Sequence, residues 1–271
     1  MTDKGIRHIW ALDAPTLSGD ISWLQVGAGG KDITIPVPTF LIEHDQGLVL
    51  FDTGLAADGA GDPRQAYGDM VDAFPMHFPE EFRLDRQLAG LGFATSDVRR
   101  IVLSHLHFDH TGGLQHFPGA EGYIGPGELR YARSPDPLSS PFFRDKDLET
   151  AAQIRWNELP RHYEHDMFGD GTVTMLSLPG HTPGSIGLQL RLDGHTLILT
   201  GDAAHLRSNV ECLAGTPVDV DTATTRSSLL KLNLLSLQPN TTVWIGHDPD
   251  DWLHFRRHGM DVLEAIASAT S

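Results

Sequence analysis

The sequence predicts a layered αβ domain in which sheets are covered by helices. Two observations carry this. Short apolar runs broken by Gly, Pro and Asp alternate with stretches whose leucines recur at helical spacing. The order is strands, helix, strand, mixed segment, strands, helix, strand, helix, so each half carries strands followed by a helix and a further strand. That order fits a doubly wound sheet and a sandwich of two sheets equally well.

Residues 37–44 (VPTFLIEH) and 47–52 (GLVLFD) read as a strand pair turning at Asp45-Gln46 with Gly47 next, a hairpin signal. Leu84, Leu88 and Leu91 stand at i, i+4 and i+7 and predict an amphipathic helix, with Gly90 and Gly92 marking its end. Residues 98–104 (VRRIVLS) predict a buried strand that runs straight into a histidine cluster. The middle, roughly 126–168, is rich in Pro, charge and aromatics; Ser134-Pro-Asp-Pro137 reads as a loop and Leu148 to Leu159 as a helix. Strands return at 172–178, 185–191 and 196–200, with Asp193-Gly194 turning the second into the third. Leu230, Leu234 and Leu237 predict a helix capped by Asp221 or Thr222. Residues 241–245 predict a last strand and 259–271 a short helix.

Composition excludes several function classes. The chain has 271 residues, 40% hydrophobic and 21% charged, and is read as one globular domain over 1–271. No run approaches the ~18 consecutive apolar residues of a membrane span. The N-terminal residues MTDKGIRHIWALDAP have no apolar stretch of signal-peptide length, so no membrane association or secretion is expected. The single cysteine, Cys212, rules out an internal disulfide framework; it is expected to pack rather than react, and the expected compartment is the cytoplasm. Twenty basic residues against 36 acidic ones give a net charge of -16, which repels polyanions, so no nucleic-acid partner is expected. Trp and Phe in the middle segment are compatible with a homodimer.

The chemistry concentrates in Ser104-His-Leu-His-Phe-Asp-His110. His105, His107, Asp109 and His110 are four potential metal ligands directly after an apolar strand. His105 and His107 point the same way in extended chain. Thr111-Gly112-Gly113 would let the backbone bend sharply. Imidazole with carboxylate suits zinc and its first-row neighbours, whereas calcium takes oxygen alone. His181, Asp202 and His247 each follow an apolar strand in a glycine-containing turn, bringing the candidate ligands to seven. Two adjacent metals sharing one bridging carboxylate need about that many.

These residues resemble the metallo-β-lactamase superfamily. The likeness rests on His-x-His-x-Asp-His at 105–110, Gly-His at 180–181, Gly-Asp at 201–202, Gly-His at 246–247 and Phe51-Asp-Thr-Gly54, over about residues 35–250. It implies an αββα sandwich, two packed mixed sheets flanked by helices, with metals at one edge. It further implies one metal on His105, His107 and His181, a second on Asp109, His110 and His247, and Asp202 between them. Asp52 would shape a turn or support a ligand.

Within the superfamily the chain is most similar to the N-acyl homoserine lactonases. Ile35 to His44, Leu50 to Gly54, Ser104 to Gly113, Gly180-His-Thr-Pro-Gly184 and Gly246-His-Asp-Pro249 carry this narrower likeness. It implies two divalent ions, zinc foremost with iron, cobalt or manganese as alternatives, and a lactone ring opened by metal-bound hydroxide. Asp109 would orient the nucleophile and move its proton. Many members carry a tyrosine three residues after the bridging Asp; here His205 stands there, and imidazole can also donate a hydrogen bond to the substrate carbonyl. Residues 66–79, Phe142, Phe143 and Trp156 are candidates for an apolar acyl groove. The alternatives are a hydrolase of another lactone or ester, a glyoxalase II-like thioesterase and a non-catalytic metal-binding sensor. Only 24 residues follow His247, too few for the helical domain usual in glyoxalase II.

Overall fold

A computed structural model of the chain describes residues 5–160 and 164–268. Strands Ile6–Ala11, Phe40–His44, Gly47–Phe51, Val98–Val102, Glu121–Ile124 and Arg155–Glu158 form one sheet, in that spatial order. Its first two pairings are antiparallel and the rest parallel. A second sheet orders His165–Asp166, Val173–Ser177, Ile186–Leu192, His195–Leu199 and Thr241–Trp244, antiparallel until the final parallel pair. The predicted hairpin closes with His44 opposite Gly47.

The period-two alternation of the strands builds the layers. Phe40, Ile42, Val49 and Phe51 face the second sheet, meeting Met175, Leu188, Leu199 and Trp244 in a common core. Their neighbours Leu41, Leu48 and Leu50 face outward onto Leu84 and Leu88 of the helix Leu84–Gly90. On the other side Leu176, Ile198 and Val243 meet Leu229 and Leu232 of the helix Thr222–Ser236. The result is an αββα sandwich of two mixed sheets. Each fully buried aliphatic side chain contributes roughly 1.5–3 kcal/mol. Among the described residues no helix is long and apolar enough to cross a membrane.

Four predicted details differ. The segment Leu148 to Leu159 is split: a helix ends at Ala151, and Arg155–Glu158 is an edge strand paired with Glu121–Ile124. Gly122 leaves the space that the Trp156 ring fills, and Trp156 Nε1 donates to Ala151 O at 2.8 Å, so sheet pairing overrides helical spacing. Asp221 caps the Thr222–Ser236 helix as expected, but Leu230, Leu234 and Leu237 lie on its exposed face, and Leu229 and Leu232 on its buried one. Cys212 is exposed rather than packed. The C-terminal helix is Leu263–Ser268; residues 269–271 of the predicted tail helix lie outside the described residues.

The strands that matter chemically end at one edge. Gly47–Phe51 leads to Asp52, Val98–Val102 to His105, His195–Leu199 to Asp202, and Thr241–Trp244 to His247. A small third sheet, Asp32–Pro36, Thr16–Asp20 and Met76–His77, walls that edge.

Candidate metal centre

Asp202 is the focus of the edge. Its Oδ1 lies 3.1 Å from His110 Nε2 and 3.0 Å from His247 Nε2. Its Oδ2 lies 3.6 Å from His181 Nε2, 3.7 Å from His105 Nε2 and 3.0 Å from His205 Nε2. One buried carboxylate therefore faces five imidazoles. Asp109 Oδ2 stands on the far side, 3.6 Å from His110 Nε2 and 3.7 Å from His247 Nε2.

The seven residues resolve into two buried groups that share Asp202. His105, His107, His181 and Asp202 bring one ligand atom each to within 4.8 Å of one another, and so do Asp109, His110, Asp202 and His247. The outer ring nitrogens of His105, His110, His181 and His247 have partners behind them, which aims the inner ones. His110 Nδ1 donates to Asp52 Oδ2 at 2.9 Å, His181 Nδ1 to Asp219 Oδ1 at 3.0 Å, and His247 Nδ1 to Pro36 O at 2.6 Å. His105 Nδ1 lies 3.0 Å from Ser104 Oγ.

Asp52 does more than turn the chain. It adopts a left-handed φ of 59°, and its Oδ1 accepts the Ser104 amide at 2.7 Å while Oδ2 holds His110. Gly112 and Gly113, expected as bend residues, adopt ordinary φ values of -61° and -87°. Their role is close approach: a Cβ on Gly112 would overlap the backbone nitrogen of Ala56.

Burial pushes His105 and His107 well below the usual imidazole range. It acts on His110 too, but Asp202, Asp109 and Asp52 outweigh it and raise that imidazole well above the range. His181 and His247 are raised in the same manner, His181 by Asp219 and Asp202, His247 by Asp202 and Asp109. Asp202, despite its burial, is held far below the carboxylate range by the histidines around it. The carboxylates thus draw positive charge into the cluster, as protons or as metal. His105 Nε2, His110 Nε2 and Asp202 Oδ1 are buried and, close as they stand to their neighbours, make no aligned hydrogen bond. His107 Nδ1 and His181 Nε2 face each other at 3.1 Å, where two lone pairs would converge on a cation. Orphaned donor atoms of this kind, imidazole with carboxylate, fit a pair of divalent ions.

Two supporting residues carry no motif and are absent from the sequence reading. Asp219 sits in Thr216-Pro-Val-Asp219, where its carboxylate also accepts the Thr216 amide at 2.9 Å and hydroxyl at 2.7 Å. Burial works against ionising it, but His181 holds it below the usual range. Glu128 is fully buried; it accepts the Leu106 amide at 3.2 Å and the Gly184 amide at 3.0 Å, tying the loop of His105 and His107 to that of His181.

A cleft opens over the cluster. Its floor is His107, Asp109, His181, Asp202, His205 and His247, and its walls are largely apolar: Leu17, Trp23, Leu24, Ile33, Ile35, Phe74 and Phe142. Of the predicted groove residues only Phe74 and Phe142 line it. Phe143 packs on His107 and Tyr131, and Trp156 lies on the outer face of the first sheet. Most of the wall comes from the small third sheet and the turn after Thr16–Asp20, which sequence periodicity did not mark.

Known proteins share this arrangement of elements. Residues 33–247 match the Metallo-beta-lactamase superfamily. N-acyl homoserine lactonase AttM of Rhizobium radiobacter is 36% identical over 262 residues, covering 95% of this chain and 98% of that one. A solved N-acyl homoserine lactone hydrolase with the product N-hexanoyl-L-homoserine at its catalytic metal center superposes with a TM-score of 0.79 at 22% identity, covering 92% of this chain and 96% of that one. AidC, a dizinc quorum-quenching lactonase, superposes with a TM-score of 0.67 at 18% identity, covering 91% of each chain. With the match spanning the strands and loops that carry all seven clustered residues, the chain belongs to the metallo-β-lactamase superfamily.

Proposed function

We propose that this chain is a metal-dependent hydrolase that opens the lactone ring of N-acyl homoserine lactones. The carrying observation is the pair of four-residue groups sharing Asp202 at the floor of an apolar cleft. The similarity to AttM over nearly the whole chain supports the substrate class. In this reading His105, His107, His181 and Asp202 hold one ion, and Asp109, His110, His247 and Asp202 the other. Two divalent ions, zinc by the mix of imidazole and carboxylate donors, would polarise the carbonyl and bring the pKa of water to about 7. The single cysteine and the absence of any need for disulfides support the cytoplasm as the compartment.

The chain's own groups supply the rest. The apolar walls receive the acyl chain and exclude water from the floor. Asp109, at the cleft floor, orients the attacking water and takes its proton, then returns a proton to the ring oxygen as it leaves. Burial lowers the pKa of His205 more than Asp202 raises it, and the carboxylate oxygen beside Nε2 places the ring's donor proton on that nitrogen. That proton now meets Asp202 Oδ2 at 3.0 Å; turned toward substrate, it would stabilise the oxyanion. The product is the open-chain hydroxy acid.

The test is ring opening followed with a pH indicator on metal-replete protein. The panel holds short- and long-chain acyl homoserine lactones, a simple γ-lactone, a glutathione thioester and a β-lactam. Fast turnover of the homoserine lactones, abolished by chelation and restored by zinc, is expected. Preference for the thioester or the simple lactone would replace the proposed substrate.

A further inference from the structure

The apolar wall is fastened from behind by polar contacts. Residues 21–26, a short turn followed by Leu24, Gln25 and Val26, form a lip over the cleft, with Trp23 packed edge-on against Phe74 at 5.6 Å. Asn209 lies behind the lip, 1% exposed, in the helix Arg207–Cys212. Its Oδ1 accepts the His205 amide at 3.0 Å and the Leu206 amide at 2.7 Å. Its Nδ2 donates to Leu24 O at 2.9 Å and Ala214 O at 2.8 Å. All the hydrogen-bonding capacity of the carboxamide is used. Next to it, Ser208 Oγ donates to Gln25 Oε1, and the Val26 amide donates to Gly215 O at 2.8 Å.

We infer that Asn209, assisted by Ser208, is a positioning residue that fixes the apolar lip relative to the loop of His205, and thereby sets how the cleft discriminates between short and long apolar chains. Three parts of the site meet in this one side chain. The lip supplies Trp23 and Leu24. The loop at 205–206 places the imidazole at the floor. The strap that begins at Ala214 continues through Thr216 to Asp219, the support of His181. A buried amide with every bond made holds such parts in one geometry, because any displacement leaves a buried donor or acceptor unpaired. Longer chains cover more of the lip than shorter ones, so looseness there falls mainly on them. The chain-length part of this inference rests on the lactonase reading; the fastening itself does not.

Asn209→Asp separates the functions of the side chain. A carboxylate still accepts from the His205 and Leu206 amides, but it cannot donate to Leu24 O or Ala214 O and repels both. In metal-loaded protein, hydrogen exchange over residues 21–26 is expected to quicken about 10-fold, with the strand His195–Leu199 unchanged. KM for a decanoyl homoserine lactone should rise about 10-fold relative to that for a butanoyl one, with kcat within about 2-fold and two metals retained. Unchanged exchange at the lip overturns the fastening, and equal KM changes for both chain lengths overturn the discrimination. Should Asn209→Asp fail to fold, Ser208→Ala gives the decision on the same two readouts, with smaller shifts expected and no shift overturning the inference. If the unaltered protein opens no homoserine lactone, the lactonase reading fails while the exchange arm still decides the fastening.

Discussion

His181 joins two carboxylates through one ring: Nδ1 donates to Asp219 Oδ1 at 3.0 Å, and Nε2 lies 3.6 Å from Asp202 Oδ2. The outer bond fixes the tautomer, so the inner nitrogen presents a lone pair. Asp219→Ala removes that hold without touching the inner cluster. Metal affinity at the group of His105, His107 and His181 is expected to fall about 10–100-fold. Competition against a chromophoric chelator measures it. Unaltered affinity would reduce Asp219 to a brace for its own loop.

Asp109 and His205 separate binding from chemistry. Asp109→Asn keeps the size and an oxygen donor but cannot take a proton, so kcat should drop by about two to four orders of magnitude while the fold persists. His205→Ala removes a donor that lies outside both four-residue groups, so both metals should stay while kcat falls about 10²-fold or more. Metal analysis beside steady-state kinetics reads both variants. Wild-type turnover in metal-replete Asp109→Asn would remove its proton-transfer role, and wild-type turnover in His205→Ala would assign that imidazole to packing.

Legibility in the sequence tracks how local the cause is. His105, His181, Asp202 and His247 stand out because each follows an apolar run and a strand end is a place where a polar side chain points at something. Asp219 and Glu128 act by hydrogen-bonding to backbone and imidazole across the fold, at separations of 38 and 56 residues, and nothing near them in sequence records it. Leu230, Leu234 and Leu237 share the helical spacing of a buried stripe, yet the neighbouring Leu229 and Leu232 are the ones the sheet covers. Spacing gives a face, and only packing tells which face is inside. Trp156 fails for a related reason: its place depends on the bare backbone of Gly122, in a strand more than thirty residues away.

Gly112 sets two expectations against each other. Its φ of -61° is one that alanine adopts without strain, so alanine would gain about 0.4–1 kcal/mol by restricting the unfolded chain. A Cβ there, however, would overlap the backbone of Leu55 and Ala56, which cannot rotate away. Overpacking of this kind costs roughly 1–3 kcal/mol, or more against rigid backbone, and should win. Gly112→Ala is therefore expected to lower the Tm and to loosen metal binding, since the helix Phe108–Thr111 carrying Asp109 and His110 must shift. Calorimetry on metal-loaded protein decides it; a raised Tm would mean that the Leu55–Ala56 segment yields easily.

His44 ties the two sheets together far from the metal residues, and it should do so only when neutral. Its ring stacks on Phe168 at 4.0 Å, Nδ1 accepts the Gln46 amide at 3.1 Å, and Nε2 lies 3.0 Å from Thr172 Oγ1 and 3.2 Å from Asp170 Oδ2. Burial lowers its pKa below the ordinary 6.5, more than Asp170 raises it. The folded value is thus below the unfolded one. As pH falls through 6.5 the unfolded chain takes up the proton first, so this contribution to stability is whole above that pH and is lost below it. The slope is bounded by one proton, about 1.4 kcal/mol per pH unit. Asn in its place keeps an acceptor for Gln46 but does not titrate. Between about pH 7.5 and about pH 5.5 the metal-loaded wild type should therefore lose more stability than His44→Asn. Parallel denaturation midpoints for the two proteins across that range would show that His44 is not the group that titrates.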